Sequence, residues 1–219
     1  MPFEVIKIDK VLEQYLLSHI EDESPLMARI YRETQLRMVN GRMCSDRLQG
    51  SLLTMLSKLI RPFRILEIGT YTGYSALCLA DGLAEGGLLH TIEINDELEG
   101  LAASFLAESG MNDRIITHIG DAADLVPNLN ELFDLVFIDA DKRQYLSHYD
   151  LVFPKVKIGG VIIADNTLWA GKVVQKVAAA DEQTKEIMKF NDFVKTDPRV
   201  ETFMIPIRDG MTVLRKISE

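Results

Sequence analysis

The sequence predicts an α/β fold: a doubly wound, mostly parallel seven-stranded sheet with an antiparallel C-terminal hairpin and extra N-terminal helices. From residue 64 onward, short apolar segments alternate with helical ones, which is typical of a parallel sheet covered on both faces. A glycine-bearing turn follows the first apolar segment. Asp209-Gly210 separates the last two apolar segments, and this pair favours a tight hairpin turn. The 219 residues suit one domain, with a helical cap over 1–60 and an α/β core over 61–219.

Helices are predicted before the sheet over 11–20, 25–39 and 45–61. In the first helix, apolar pairs recur with helical spacing. Ser24 and Pro25 supply an N-cap and a first helical position for the second helix. The third helix carries an apolar face until a proline interrupts it. We expect these helices to cap the same domain rather than to form a second one.

The core contains five predicted strands and the helices between them. The strands are predicted over 64–68, 88–94, 114–118, 134–138 and 160–164. The connecting helices are predicted over 75–83, 96–109, 122–129 and 143–152. A last helix over 181–195 then precedes two hairpin strands over 200–206 and 211–217. Because parallel sheets often carry an antiparallel edge, we expect the hairpin to extend the same sheet.

Composition and charge limit the class of protein. The formal net charge is −9, which disfavours extended binding to nucleic-acid phosphates. The two cysteines, Cys44 and Cys78, form neither a disulfide framework nor a zinc cluster, and Cys78 falls in an apolar helical run as a small core residue. No apolar run approaches the ~20 residues that span a bilayer, and no secretory signal is recognisable. These features predict a cytoplasmic protein with free thiols and no membrane segment.

The turn after the first strand, within residues 64–75, favours a small bound cofactor. Such a turn brings backbone amides and a helix N-terminus against a ligand. Glu67 lies at the carboxyl end of the strand, where open α/β sheets bind ligands. A dinucleotide fingerprint requires a glycine two positions after Gly69, where this chain has Tyr71. The turn therefore indicates a nucleoside cofactor without a diphosphate, S-adenosylmethionine (SAM) above all, unless it is an ordinary turn with a stray glutamate.

Acidic residues also end the second strand and follow the third. Glu93 ends the second strand, where a carboxylate can accept the hydroxyl protons of a ribose. The alternative is that the negative charge of Glu93 only stabilises the N-terminus of the helix that follows it. Its place directly after the glycine turn unit favours the ribose. Asp121, next to Ala122, could lie near an adenine amino group or could only cap a helix, and both interpretations stay open.

The fourth and fifth strands end in acids at the same edge of the sheet as Gly69. Neighbouring parallel strands would bring Asp139, Asp165 and Asn166 together beside the cofactor. Two carboxylates and an amide carbonyl suit Mg²⁺, Mn²⁺ or Ca²⁺ rather than zinc. The alternative is that the acids cap the following helices, but residues 167–171 look like a loop. The pattern therefore favours a divalent cation site.

Two basic residues near these acids each have two interpretations. Lys142 lies three residues beyond Asp139 and could serve as a general base, since a nearby metal disfavours the ammonium form. The alternative is that Lys142 is a surface ion-pair partner, which is the commoner role of a lysine after two acids. Arg208, in the hairpin loop, could meet an anionic substrate or be an exposed loop charge.

In order along the chain, these motifs resemble those of a known family. They comprise the turn residues Glu67, Gly69, Tyr71 and Ser75, then Glu93, Gly120-Asp121-Ala122, Asp139-Ala-Asp141-Lys142 and Asp165-Asn166. From about Asn40 to its end, the chain closely resembles the cation-dependent, SAM-dependent O-methyltransferases of the catechol and caffeoyl-CoA type. The resemblance implies a Rossmann-like class I methyltransferase fold. The hairpin lacks the glutamate of the mammalian catechol enzymes, which places the chain nearer the bacterial and plant branch.

The resemblance also implies roles for individual residues. The cofactor-binding residues would be Met43, Ser45, Glu67, Gly69, Tyr71, Ser75, Glu93, Asp121, Ala122 and Asp139. Of these, Glu67 would border the methionine end of SAM, the backbone of Ser45 its carboxylate, and Met43 the transferred methyl. The cation would bind Asp139, Asp165 and Asn166, while Lys142 and Asp139 would be catalytic.

The expected function is divalent-cation-dependent methyl transfer from SAM to a hydroxyl of a small catechol-like or vicinal-diol substrate. One alternative is a tRNA wobble 5-hydroxyuridine O-methyltransferase, for which a basic face could be formed by Lys172, Lys176, Lys185 and Lys189. Another alternative is a non-catalytic protein that binds SAM or a nucleotide. The family tends to form homodimers, so we expect a dimer.

Overall fold

The computed structural model describes residues 10–219. The apolar segments of the core form one sheet of seven strands. They are β1 (Arg64–Ile68), β2 (Leu88–Glu93), β3 (Ile115–Ile119), β4 (Phe133–Ile138), β5 (Val156–Asp165), β6 (Val200–Ile205) and β7 (Met211–Lys216). Each predicted strand is present, and every bound except the start of β5 agrees with the predicted one to within one residue.

The strands lie in the order β3-β2-β1-β4-β5-β7-β6. The first five are parallel, whereas β7 runs antiparallel to both β5 and β6. The doubly wound sheet and its antiparallel hairpin are therefore confirmed. Strands β1 and β4 are direct neighbours although two strands separate them in the chain. The winding of the chain reverses at this point, which is where open α/β sheets bind ligands.

Strand β5 is longer than predicted because it begins before two glycines. Its pairing with β4 shifts register between Phe133 and Leu135, so that residues after Val156 bulge before regular pairing resumes at Val161. Gly159 has a φ of +85°, which accommodates this irregularity. The glycines appear in the sequence as a strand start, whereas in the structure they lie inside the strand.

The helices cover both faces of the sheet. They are α1 (Lys10–Leu17), α2 (Pro25–Arg37), α3 (Arg47–Ile60), α4 (Tyr74–Ala80), α5 (Glu99–Glu108), α6 (Ala122–Leu125), α7 (Tyr145–Val152) and α8 (Glu182–Thr196). The Ser24 hydroxyl caps α2 by accepting a hydrogen bond from the Met27 amide, as predicted. No helix among residues 10–219 is long and apolar enough to cross a membrane.

Several helices are shorter than predicted. Helix α1 ends at Leu17 rather than near residue 20. The side chains of Ser18 and His19 both hydrogen-bond to the Tyr15 carbonyl oxygen, and so compete with the backbone amides that would continue the helix. Helix α6 has a single turn, after which a 3₁₀ turn begins where Pro127 lacks the amide donor of an α-helix. Short 3₁₀ turns also replace the predicted starts of α5 and α7.

Two buried clusters fill the space between the helices and the sheet. On one face, Ile65 of β1 packs in a cluster that includes Ile30 of α2 and Leu53 of α3. On the other face, Leu66 packs in a cluster that includes Tyr149 of α7 and residues of α8. Helices α2 and α3 therefore share a core with the sheet. Cys78 lies in the first cluster as predicted, and both cysteines are free.

Candidate active site

A cleft of about 1170 Å³ opens at the carboxyl ends of the central strands. It is lined by nearly all the residues for which the sequence predicts a role. These are Met43, Ser45, Gly69, Tyr71, Ser75, Glu93, Asp121, Ala122, Asp139, Lys142, Asp165 and Asn166. Glu67 is absent from the lining because it is buried in β1 behind the cleft wall. The fold thus brings the predicted cofactor and cation residues into one place.

The glycine turn is shaped by a close approach between β1 and β4. Gly69 has a φ of +106°, and a Cβ at this position would overlap the carbonyl oxygen of Asp139. Only glycine satisfies both conditions. The Tyr71 amide then donates to Glu93 Oε2 at 2.7 Å, so the turn bends over the end of β2. The turn and the two acidic strand ends therefore share the cleft wall.

The Glu67 carboxylate is fully buried and only partly satisfied. Its Oε2 accepts a hydrogen bond from the Thr91 hydroxyl at 2.6 Å. Its Oε1 has no hydrogen-bond partner in the described part of the chain. Burial raises the pKa of Glu67 to about 8, although the Ser75 and Thr91 hydroxyls act in the opposite direction. An unpartnered buried carboxylate oxygen suits a cationic or proton-donating group of a bound molecule.

The Glu93 carboxylate is fixed by backbone amides at the end of β2. Besides the Tyr71 contact, Glu93 Oε1 accepts from the Asn95 amide at 2.9 Å. The next helical turn is capped by the Asn95 side chain, which accepts from the Glu97 amide at 3.1 Å. The capping residue is therefore Asn95 rather than Glu93. Glu93 faces the cleft with lone pairs that remain for ligand hydroxyls.

Asp121 caps a helix and lines the cleft at once. Its side chain accepts from the Ala123 amide at 2.8 Å, which confirms the capping interpretation. Ala122 is buried next to it in the cleft wall. The two interpretations of Asp121 are thus compatible, because a carboxylate accepts more than one hydrogen bond.

The acids after β4 and β5 stand side by side. Ile138 pairs with Ala164, so Asp139 and Asp165 follow in step on adjacent strands. Asp165 is 3% exposed, and burial together with the Asp139 charge raises its pKa to about 7. An irregular segment with left-handed residues follows, rather than an α-helix, so helix capping does not explain Asp165.

Among residues 10–219, no three acidic, histidine or cysteine side chains are arranged to hold a metal ion. The predicted cation set has two carboxylates, and its third member is an amide. The Asn166 residue adopts a φ of +57° and lines the cleft beside Asp165. The donors present are therefore all oxygen, as the sequence predicts.

Lys142 is buried beside the acid pair. It is 8% exposed and donates to Asp139 Oδ1 at 2.6 Å and to the Tyr145 hydroxyl at 2.7 Å. Burial lowers its pKa, but the Asp139 charge and then Tyr145 and Asp165 outweigh burial, so the net pKa is raised. Lys142 is therefore an ion-pair partner, but a buried one and not one at the surface. With both carboxylates ionised, Lys142 is an ammonium.

Three further buried residues, which were not predicted, hydrogen-bond to predicted site residues. Tyr145 bridges Lys142 to β5 by donating to the Asp165 carbonyl oxygen at 2.8 Å. Gln49 of α3 donates from Nε2 to Asp165 Oδ2 at 2.6 Å. Thr91 contacts Glu67, as described above. The signal for Tyr145 was its position one helical turn after Lys142, whereas no local pattern marks Gln49 as buried.

The guanidinium of Arg208, in the loop between the last two strands, is hydrogen-bonded at the cleft. Its side chain is 32% exposed, and its Nη1 donates to Gln49 Oε1 at 2.7 Å. Its Nε lies 3.3 Å from Asp46 Oδ2. The loop between β6 and β7 is thereby attached to the start of α3. Arg208 is an exposed residue of the hairpin loop, as one interpretation predicts, but its guanidinium is bound to Gln49 and Asp46 instead of being free in solvent.

Three of the four lysines of the predicted basic face, which also includes Lys176, pair with neighbouring acids. Lys172, Lys185 and Lys189 pair with Asp181, Glu182 and Glu186 at 3.5, 2.7 and 3.3 Å. These pairs leave little uncompensated positive charge for a phosphate backbone. The geometry gives no support for a nucleic-acid surface at α8.

Comparisons with known proteins agree with the geometry of the cleft. The family model described as O-methyltransferase matches residues 17–217. A caffeoyl-CoA O-methyltransferase of Petroselinum crispum is 34% identical over 221 residues, which cover 94% of this chain and 91% of that protein. The structure of the O-methyltransferase TomG from Streptomyces achromogenes in complex with SAM has a TM-score of 0.88 and 28% identity, and covers 95% of this chain and 96% of that one. An O-methyltransferase from Bacillus cereus in complex with SAH has a TM-score of 0.86 and 25% identity, with 94% and 97% covered.

The fold, the cleft at the reversal of the sheet and these similarities lead to the same conclusion. Family membership also contradicts the alternative of a non-catalytic binding protein. This chain belongs to the family of SAM-dependent O-methyltransferases.

Proposed function

We propose that this enzyme methylates a hydroxyl of a small catechol-like or vicinal-diol acceptor, with a divalent cation held by Asp139, Asp165 and Asn166. The observation that carries the proposal is the pair of carboxylates that follow β4 and β5 in step, beside the buried Lys142. SAM would lie along the wall formed by the glycine turn and the ends of β1 to β3.

Residues at the cleft wall would contact each part of SAM. Glu67, just behind this wall, has an unpartnered Oε1 that would suit the ammonium at the methionine end. Glu93 is oriented by two amides and would accept hydrogen bonds from the ribose hydroxyls. Asp121 and Ala122 would border the adenine. Met43, which is 59% exposed, would lie near the transferred methyl, and the backbone of Ser45 near the carboxylate of SAM.

The acid pair fits a divalent cation because it is unfavourable without one. Asp165 is buried beside Asp139, and two neighbouring carboxylates in a low-dielectric environment disfavour ionisation. An oxygen donor set of this kind is what Mg²⁺ prefers, with Mn²⁺ and Ca²⁺ as alternatives. When bound, the cation would hold two adjacent acceptor oxygens and lower the pKa of the attacking hydroxyl.

Residues of the protein would accept the proton of the attacking hydroxyl and align the reacting atoms. In the proposed reaction, Lys142 Nζ takes the proton of the attacking hydroxyl, a new O–CH₃ bond forms, and the S–CH₃ bond of SAM breaks. For this step Lys142 must be neutral. The carboxylates that hold its proton, Asp139 and Asp165, are the ones whose charge a cation would offset. The walls of the cleft supply the alignment of oxygen, methyl and sulfur.

The rim of the cleft favours an apolar or aromatic acceptor. Met38, Val39 and Trp169 line it, and Val39 is fully exposed there. The plant relative acts on caffeoyl-CoA, as its name states, and a related catechol-bearing acceptor would suit this rim. The paired lysines of α8 and the net charge of −9 argue against tRNA. A homodimer remains an expectation from the family.

The experiment is a screen of SAM-dependent methylation over catechol, caffeate, caffeoyl-CoA and unmodified tRNA, with and without EDTA. We expect an O-methylated vicinal diol, loss of product with EDTA, and recovery on addition of excess Mg²⁺. Turnover that EDTA leaves unchanged would overturn the cation requirement. Methylation of tRNA alone would overturn the small-molecule acceptor.

A further inference from the structure

A hydrogen-bonded chain of side chains runs from the β6–β7 loop to the acid pair. Arg208 Nη1 donates to Gln49 Oε1 at 2.7 Å, and Gln49 Nε2 donates to Asp165 Oδ2 at 2.6 Å. Gln49 is 2% exposed, so both ends of its amide depend on these partners. The other carboxylate oxygen, Asp165 Oδ1, accepts a hydrogen bond from the backbone amide of Asn166 at 2.7 Å.

The donors and acceptors among these hydrogen-bonded side chains allow one orientation of the Gln49 side-chain amide. A guanidinium only donates, so the carbonyl oxygen of Gln49 must face Arg208. An ionised carboxylate only accepts, so the NH₂ group must face Asp165. A flipped amide would place donor against donor and acceptor against acceptor. Arg208 therefore determines which end of Gln49 meets Asp165.

Arg208 is itself anchored at the start of α3. Its Nε pairs with Asp46, whose carboxylate caps α3 by accepting a hydrogen bond from the Gln49 backbone amide at 3.0 Å. Its Nη1 also lies 3.3 Å from the Cys44 carbonyl oxygen. Arg208 adopts a φ of +48°, an uncommon conformation for a residue other than glycine. The loop is thus held in an unusual backbone conformation with the guanidinium directed at Gln49.

The same loop is tied to the segment after Asp165. The amides of Thr167 and Leu168 donate to the carbonyl oxygens of Gly210 and Asp209 at 3.0 and 2.7 Å. The Asp165 backbone and its side chain are therefore both fixed by the elements that carry Arg208 and Gln49.

We propose that Gln49 is a positioning residue that orients the Asp165 carboxylate for the divalent cation, and that Arg208 sets the orientation of Gln49. The inference rests on the proposed cation-dependent function. One hydrogen bond on each carboxylate oxygen prevents rotation and leaves the remaining lone pairs for the cation. Partners that hydrogen-bond a ligating carboxylate typically change metal affinity by about 10–100-fold when they are removed.

The experiment measures Mn²⁺ binding to the full chain by isothermal titration calorimetry, after removal of bound metal, together with SAH binding and thermal unfolding. Gln49→Met retains the length of the side chain but has no amide. The matched control is Thr54→Val on the same helix, which removes a hydrogen bond from the Thr54 hydroxyl to the Cys78 carbonyl oxygen of α4.

We expect Gln49→Met to weaken Mn²⁺ binding by about 10–100-fold while its SAH affinity and Tm stay near those of Thr54→Val. Unchanged Mn²⁺ affinity in Gln49→Met overturns the positioning role. Failure of the wild-type protein to bind Mn²⁺ overturns the proposed cation site itself, and the two failures are therefore distinguishable.

Arg208 variants test the outer part of the chain and do not depend on the folding of Gln49→Met. Arg208→Met leaves the Gln49 amide free to flip, so Mn²⁺ binding should weaken several-fold. Arg208→Lys retains one donor and should recover part of that loss. Equal Mn²⁺ affinity in Arg208→Met and the wild type overturns the role of Arg208.

Discussion

Replacing Glu67 by Gln should change the pH dependence of stability in a direction that follows from its burial. The ordinary pKa of a glutamate carboxyl is 4.5, and that of Glu67 is about 8. Between these values the native state holds a proton that the unfolded state has released. Stability therefore falls as pH rises through this interval, because the unfolded state binds fewer protons. Below pH 4.5 both states are protonated and the penalty is absent.

The magnitude follows from the same two values. At about 1.4 kcal/mol for each pH unit between them, ionising Glu67 costs the native state about 5 kcal/mol at high pH. About 3 kcal/mol of this should develop between pH 5.5 and pH 8.5. Gln cannot ionise and can still accept the hydrogen bond from Thr91. Between pH 5.5 and pH 8.5, the unfolding free energy of the variant should therefore rise by about 3 kcal/mol relative to that of the wild type.

The assay is urea unfolding followed by circular dichroism at several pH values, with EDTA and without SAM. The readout is the difference in unfolding free energy between variant and wild type, so that other titrating groups cancel. Glu85→Gln, at an exposed position, is the matched control and should stay within about 0.5 kcal/mol of the wild type throughout. A difference for Glu67→Gln that does not vary with pH would refute the reasoning from burial. The same variant should bind SAM about 10–100-fold more weakly, since a charged hydrogen bond is lost.

Three further substitutions test the remaining parts of the site. Gly69→Ala places a Cβ on the Asp139 carbonyl oxygen and should lower the unfolding free energy by about 3 kcal/mol or more. The control, Gly100→Ala, lies in open space on α5 and should have no such cost. A loss below about 1 kcal/mol for Gly69→Ala would contradict the close approach. Asp139→Ala should abolish turnover in a methylation assay while the protein stays folded, and substantial residual activity would remove Asp139 from the reaction. Lys142→Met should lower kcat by about 10²–10⁴-fold, and a decrease of less than about tenfold would exclude Lys142 as the general base.

The sequence by itself determined the class of fold and the chemistry of the cleft wall. Alternating apolar and helical segments depend on local patterns, so the strands were found at nearly their observed bounds. Gly69 could be recognised because a turn before a helix restricts the residue type. Glu93, Asp139 and Asp165 could be placed together because the carboxyl ends of parallel strands share one edge of the sheet. Each of these predictions uses information that lies within a few residues of the site.

The tertiary structure alone decided which distant side chains meet at that edge. Gln49, Arg208 and Asp165 lie more than 40 residues apart in sequence, and their contacts depend on how α3 and the hairpin pack. The insertion of β7 beside β5 is what brings the Arg208 loop over the cleft. Local patterns specify elements and strand ends, whereas the partners of a buried polar group are set by packing, which no local pattern encodes.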